Sequence, residues 1–140
     1  FLIVGRTDAR TGLGVDEALR RGEAFRRAGA DIIFIEAPES EDEFARIGRA
    51  LGPPLLANMV EGGRSPVLPA AALERYGFRM AIYPATAFLA ATAAMSAAYG
   101  QIKTAGTSLP APVALTSMAD MHKLMGFEDV WAFERKWAEV

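Results

Sequence analysis

The chain contains no cysteine, which excludes disulfides, thiolate nucleophiles and cysteine-based metal sites. It has a single histidine, His122, so no histidine cage can form around a metal. Acid–base chemistry therefore falls to carboxylates, hydroxyls, lysine or water. Charge of one sign is also scarce. The net charge is −2 and no Lys/Arg block stands out, so the electrostatic footprint of a nucleic-acid binder is missing. Long hydrophobic runs are lacking too. The longest Ala-rich apolar stretch, Ala85 to Tyr99, carries Thr and Ser and is too short to span a bilayer. The first residues lack the basic region of a secretory signal. These absences predict a cytoplasmic protein that binds neither nucleic acid nor membrane.

What is present is ordinary in amount and regular in pattern. About half the residues are apolar (51%) and 23% are charged, the balance of a globular domain with a core to fill. Phe1-Leu2-Ile3-Val4 opens the chain as a continuous apolar run, suited to a strand buried on both faces. A chain that begins inside a core strand is expected to be a piece of a longer protein.

The pattern then repeats. Asp16 to Ala28 has helical spacing, with Asp16 as an N-cap or first-turn acid and Gly29 as terminator. Asp31–Ile35 reads as a second strand. Ser40–Leu51 reads as a helix in which Ser40 and Glu43 have capping-box spacing. Residues 54–57 form a third strand, and Pro69–Tyr76 a short helix. Arg79–Ile82 forms a fourth strand, and Thr86 to about Thr104 a long Ala-rich helix. Residues 6, 36, 58 and 83 follow the four strand ends, at separations that match the length of a βα unit. Four such units without a hairpin signal predict parallel strands. The expected fold class is α/β: the C-terminal half of a (β/α)8 barrel over residues 1–105. A linker and C-terminal helices follow over 106–140, as Ser117–Met125 and Glu128–Val140. A doubly wound sheet fits the same pattern, but no strand is followed by a dinucleotide- or nucleotide-binding glycine motif.

In parallel barrels the chemistry sits at the C-terminal strand ends. That rule selects Arg6, Thr7 and Asp8, then Glu36 and Glu39, then Asn58, Glu61, Gly62 and Gly63, then Tyr83 and Pro84. Arg6 has the planar fork that suits a substrate carboxylate; the plainer alternative is a salt bridge to Asp8 or another acid. Glu36 follows four apolar residues, so solubility does not explain it. It can orient water or bind a hydroxyl, or simply partner Arg6. Asn58 offers a donor and an acceptor without charge. Glu61 and Gly62 lie in a turn where backbone can approach a ligand. His122 reads as a surface helix residue, and the methionines of the tail as core or interface fillers.

Several segments resemble one family. Gly5-Arg6-Thr7-Asp8-Ala9 is similar to the A-R-T-D-A segment of the isocitrate lyase and phosphoenolpyruvate mutase superfamily. Gly29 to Pro38 resembles its G-A-D-x-I-F-x-E-A segment, Leu56 to Pro66 its L-A-N-x-x-E-x-G-x-[ST]-P segment, and Gly77 to Pro84 the strand before the last barrel helix. The resemblance runs in order over nearly the whole chain. It implies a Mg²⁺-dependent enzyme that makes or breaks a C–C bond beside a carboxylate, through an enolate, or rearranges a P–C bond. It also implies that Arg6 binds a substrate carboxylate, that Glu36 lies beside the metal's water shell, and that Asn58 contacts substrate; Glu61 and Gly62 are expected to bind substrate from their place in the turn.

Glu36 is the discriminating position. The mutase branch has His there and the lyase branch Glu, so the resemblance favours a methylisocitrate or dimethylmalate lyase. An oxaloacetate decarboxylase or a phosphonomutase is the alternative. Val60 stands where methylisocitrate lyases often carry Thr, which leaves the substrate open. By the resemblance, the metal ligands precede the A-R-T-D-A segment and are not in this chain, so the isolated chain is expected to be inactive. The family also exchanges its last helices between subunits, which implies a homotetramer. The other reading open to the isolated chain is a non-catalytic piece that folds or assembles with partners.

Overall fold

The computed structural model describes residues 1–138. By compactness the chain divides into two units, Phe1–Ala90 and the residues from Ala91 onward.

The first unit is built on four parallel strands in the spatial order β1-β2-β3-β4: Val4–Thr7, Ile32–Ile35, Leu55–Asn58 and Phe78–Ile82. Helices α1 (Ala9–Arg27), α2 (Glu41–Leu51) and α3 (Ala70–Arg75) connect them. Strand order equals sequence order and does not reverse, as it would in a doubly wound sheet. With right-handed crossovers, every connecting helix then falls on the same face. The period-two alternation of the strands separates the two faces. Ile33, Ile35, Leu55 and Ala57 belong to the large core, with Ala18 and Leu19 of α1, Phe44 and Ile47 of α2, and Leu73 of α3. Ile32, Phe34 and Leu56 make a smaller cluster of their own on the other face. That arrangement is a segment of a parallel barrel, with helices outside and a narrow inner face.

Close backbone approach sets the helix packing. A Cβ on Gly22 of α1 would meet Leu51 Cδ1 at 2.7 Å and Ile33 Cγ2 at 3.2 Å. A Cβ on Gly48 of α2 would lie 1.9 Å from the carbonyl oxygen of Tyr76, at the end of α3. At Gly48 the neighbour is backbone and only glycine fits; at Gly22 the Leu51 side chain would have to shift.

Local signals mostly hold. The Ser40 hydroxyl caps α2 by accepting from the Glu43 N–H at 3.2 Å. The Glu43 carboxylate reaches back one residue further than a capping box would place it, to the Glu39 N–H at 2.8 Å. Gly52 ends the helix at φ 63°.

Two expectations are corrected. The first strand lies at Val4–Thr7 rather than Phe1–Val4, and Phe1, Leu2, Ile3 and Val4 are exposed. Pairing with β2 begins only at Val4↔Ile32, because the turn at Gly29–Asp31 precedes that strand. Residue 3 is held by its backbone, with its N–H donating to the Asp31 carboxylate at 2.8 Å. A short helical segment begins at Ala9, ahead of the expected start. Gly14, at φ 86° and ψ 170°, separates it by a kink from the helix expected over Asp16 to Ala28. Asp16 stands in the first turn after that kink, and its carboxylate pairs with Arg46.

Helix α4 (Thr86–Ala105) runs from the first unit into the second. In the second unit, α5 (Met118–Leu124) is capped by Ser117, whose hydroxyl accepts from the Asp120 N–H at 3.0 Å. Gly126, left-handed at φ 74°, turns the chain into α6 (Phe127–Trp137). The expected continuation of α6 to Val140 lies outside the described residues. His122 is not a plain surface residue: its ring packs 5.1 Å from Phe127 and edge-on to Trp131 at 5.5 Å. Among the described residues no helix is long and apolar enough to cross a membrane.

Candidate active site

Strand parity assembles the site. Arg6 is paired in register with Phe34, and Glu36 and Asn58 continue the face of Phe34 and Leu56. All three polar side chains therefore emerge on the helix-free face, at the C-terminal strand ends. The Arg6 guanidinium lies 4.8 Å from the centre of the Phe34 ring, which fixes its lower side against an apolar floor.

Above that floor the three side chains touch. Arg6 Nη2 lies 3.6 Å from Glu36 Oε2. Asn58 Nδ2 donates to both Glu36 oxygens, at 3.3 and 3.4 Å. Arg6 also forks onto Asp8, with Nε to Oδ2 at 3.1 Å and Nη2 to Oδ1 at 2.8 Å. That hydrogen bond holds the Asp8 carboxyl below its usual range and raises the Arg6 pKa. The plainer alternatives drawn from the sequence for Arg6 and Glu36 are thus realised in this structure: each is the other's partner. They do not displace the binding reading, because the pair lies open to a cleft.

The cleft has a volume of about 270 Å³. Its walls include Arg6, Asp8, Glu36, Asn58, Val60 and Arg64. The amide orientation of Asn58 follows from chemistry: a carboxylate only accepts, so Nδ2 faces Glu36. Asn58 Oδ1 is then buried with no donor among the described residues. A buried acceptor left without a donor is costly.

The second βα loop is shaped by strain and by ions. Ala37, directly after Glu36, sits at φ 56°, a left-handed conformation unusual for a residue with a Cβ. Arg10 spans the first and second loops: it contacts Glu39 and forks onto Glu43 at 2.9 and 2.7 Å.

Not every residue selected from sequence joins the cluster. Glu61 and Gly62 are exposed and do not line the cleft. Glu61 accepts instead from the Thr86 hydroxyl at 2.6 Å, at the start of α4, and this contact lowers its pKa. Arg64 and Ser65, which do line the cleft, were missed by the sequence reading. The available signal was their place just beyond the Gly62-Gly63 turn.

The donor set was tested against a metal. Among the described residues no group of three or more His, Asp or Glu is placed to hold one. Both Glu36 oxygens already accept from Asn58, and one faces the Arg6 cation. Magnesium prefers octahedral oxygen ligands, and these residues do not supply such a set by themselves.

Comparison with known proteins agrees with this fold. The family model described as phosphoenolpyruvate phosphomutase matches residues 1–103. The 2,3-dimethylmalate lyase of Eubacterium barkeri is 44% identical over 138 residues, covering 99% of this chain and 48% of that protein. A 2-methylisocitrate lyase of Bacillus subtilis (strain 168) is 36% identical over 140 residues, covering 100% of this chain and 46% of that protein. A crystal structure of 2,3-dimethylmalate lyase superposes with a TM-score of 0.85 at 31% identity, over 96% of this chain and 47% of that one. The chain spans about half the length of the curated relatives it matches.

Proposed function

Because the chain belongs to the phosphoenolpyruvate phosphomutase family, within the isocitrate lyase and phosphoenolpyruvate mutase superfamily, we propose that its protein is a carbon–carbon lyase. Its substrate is a small 2-hydroxy di- or tricarboxylate, of the dimethylmalate or methylisocitrate type. The reading rests on one observation: Arg6, Glu36 and Asn58 meet at the strand ends, in a cleft.

The chemistry follows from those groups. Cleavage beside a hydroxyl-bearing carbon turns the hydroxyl into a carbonyl and releases its proton. The bonding pair passes to the departing carboxylate fragment as an enolate, which is then protonated. Arg6, always ionised, binds the carboxylate on which that charge develops. Asn58 stands beside Glu36 in the same cleft, where its amide can contact the substrate. Glu36 holds Arg6 and Asn58 in register and is the carboxylate beside them that can take the proton. The relatives that are lyases favour this lyase reading over a decarboxylase or a phosphonomutase.

Magnesium dependence is part of the proposal and rests on the family resemblance, with the metal ligands placed outside these residues. The role of residues 106–140 is also proposed: they pack on another subunit of a homotetramer. The exposure of Leu124 (78%), Phe133 (64%) and Trp137 (62%) supports it.

The test is an assay of the full-length protein for Mg²⁺-dependent release of a 2-oxo acid from dimethylmalate, methylisocitrate and oxaloacetate, alongside Arg6→Ala and Glu36→Ala. Turnover of a hydroxy acid that both variants lose while remaining folded supports the lyase. Turnover of oxaloacetate alone selects the decarboxylase. No turnover of any of the three overturns the reading.

A further inference from the structure

The two arginines of the cleft are in different electrostatic states. Arg6 is compensated: Asp8 holds it at 2.8 Å, and Glu36 lies at 3.6 Å. Arg64 lines the same cleft and has no ion-pair or hydrogen-bond partner among the described residues. The ionised groups along the wall are Arg6, Arg64, Asp8 and Glu36, and both carboxylates belong to Arg6. The cleft-lining cation without a countercharge among the described residues is therefore Arg64. An anion seated at Arg6 must share it with Asp8, whereas one seated at Arg64 meets an open guanidinium fork.

Position adds to the argument. Arg64 follows Gly63 in the loop after β3, and Asn58 ends that strand. Arg6 is on β1, two strands away in the sheet. One cleft of about 270 Å³ reaches both. A small molecule with one carboxylate satisfies one arginine and leaves the other unmatched. A molecule with a carboxylate at each end satisfies both.

We propose that Arg64 is a specificity-determining residue. It binds the second carboxylate of the substrate, so the cleft selects dicarboxylates over monocarboxylates with Arg6 at the other end. The assignment deepens the lyase reading and rests on it for the identity of the reacting substrate. The binding of simple acids tests it separately.

The experiment uses the full-length protein, with malonate as a dicarboxylate probe and acetate as a monocarboxylate probe, in titration calorimetry. Arg64→Gln and Arg64→Lys are compared with the parent, and thermal unfolding checks that each is folded. The expected result is a tenfold or greater loss of malonate affinity in Arg64→Gln, partial recovery in Arg64→Lys, and acetate binding changed by less than twofold. On whichever hydroxy acid the parent turns over, Arg64→Gln raises KM tenfold or more and leaves kcat within threefold. Malonate affinity unchanged in Arg64→Gln overturns the proposal, as does a parent that does not prefer malonate to acetate. A parent that binds malonate through Arg64 but cleaves none of the hydroxy acids keeps this inference and sinks the lyase reading alone.

Discussion

Arg10 and Glu43 form a two-pronged ion pair across 33 residues, with Nε to Oε2 at 2.9 Å and Nη2 to Oε1 at 2.7 Å. Both side chains are largely buried, at 16% and 20% exposure. The same Glu43 carboxylate accepts from the Glu39 N–H, so one residue joins the start of α1, the loop after β2 and the first turn of α2. This bond fixes the loop that carries Glu36.

Its loss should be felt as stability. Arg10→Ala leaves the largely buried Glu43 carboxylate without its main countercharge, and is expected to cost about 2–3 kcal/mol, somewhat below the range for fully buried pairs. Denaturant unfolding of the full-length protein measures it. A double-mutant cycle with Glu43→Gln should return a coupling of about 1 kcal/mol or more.

The same pair predicts a pH dependence. The Arg10 hydrogen bond is the main reason that the Glu43 pKa lies below its ordinary value of 4.5. A depressed carboxylate adds stability that is fully present above its unfolded pKa and fades as pH falls through the folded one. Stability should therefore drop below about pH 4.5, and part of that drop should vanish in Arg10→Gln. Unfolding midpoints taken between pH 3 and 7 check the sign.

Glycine substitutions should split by location. Gly48→Ala forces a Cβ to within 1.9 Å of the Tyr76 carbonyl oxygen, and the α2–α3 contact must open. The expected cost is about 3 kcal/mol or more. Gly12 lies in the short helical segment before Gly14, with nothing within 4 Å of a Cβ. Gly12→Ala should stabilise by about 0.5–1 kcal/mol through helix propensity. Equal effects at the two sites would contradict the packing described.

Ala37 gives a second contrast. At φ 56° it occupies a conformation that glycine adopts freely and β-branched residues resist. Ala37→Gly should be neutral or stabilising by up to about 1 kcal/mol, and Ala37→Val destabilising by about 1–2 kcal/mol. Thermal unfolding of both variants decides it.

Asn58→Asp replaces a donor facing Glu36 with a second carboxylate where contacts are now 3.3 and 3.4 Å. Like charges raise the pKa of the pair above its unfolded value, so the variant is most destabilised near neutral pH and recovers as pH falls. The expected penalty at pH 7 is about 1–3 kcal/mol. A stability profile that does not improve toward acid would contradict the Asn58–Glu36 contact.

Much of this architecture was readable in the residues themselves. Apolar runs separated by capped helices predicted parallel βα units, because hydrophobic periodicity and caps are local properties. The same logic placed Arg6, Glu36 and Asn58 at strand ends, where alternation puts even-numbered residues on one face. Local pattern also suggested a strand at Phe1–Val4. It could not show that pairing waits for β2 to begin at Ile32, since register depends on a strand 28 residues away.

The choice among partners belonged to the tertiary structure alone. Sequence offered Arg6 both a substrate and Asp8, and only the fold shows Asp8 and Glu36 on it while Arg64 is left uncompensated. It offered Glu61 as a ligand residue, and the fold turns its carboxylate to Thr86. Residue type and spacing determine where a charge can stand, because they act through the local backbone. Which countercharge it meets is decided by side chains brought together from distant strands, and no local pattern encodes that distance.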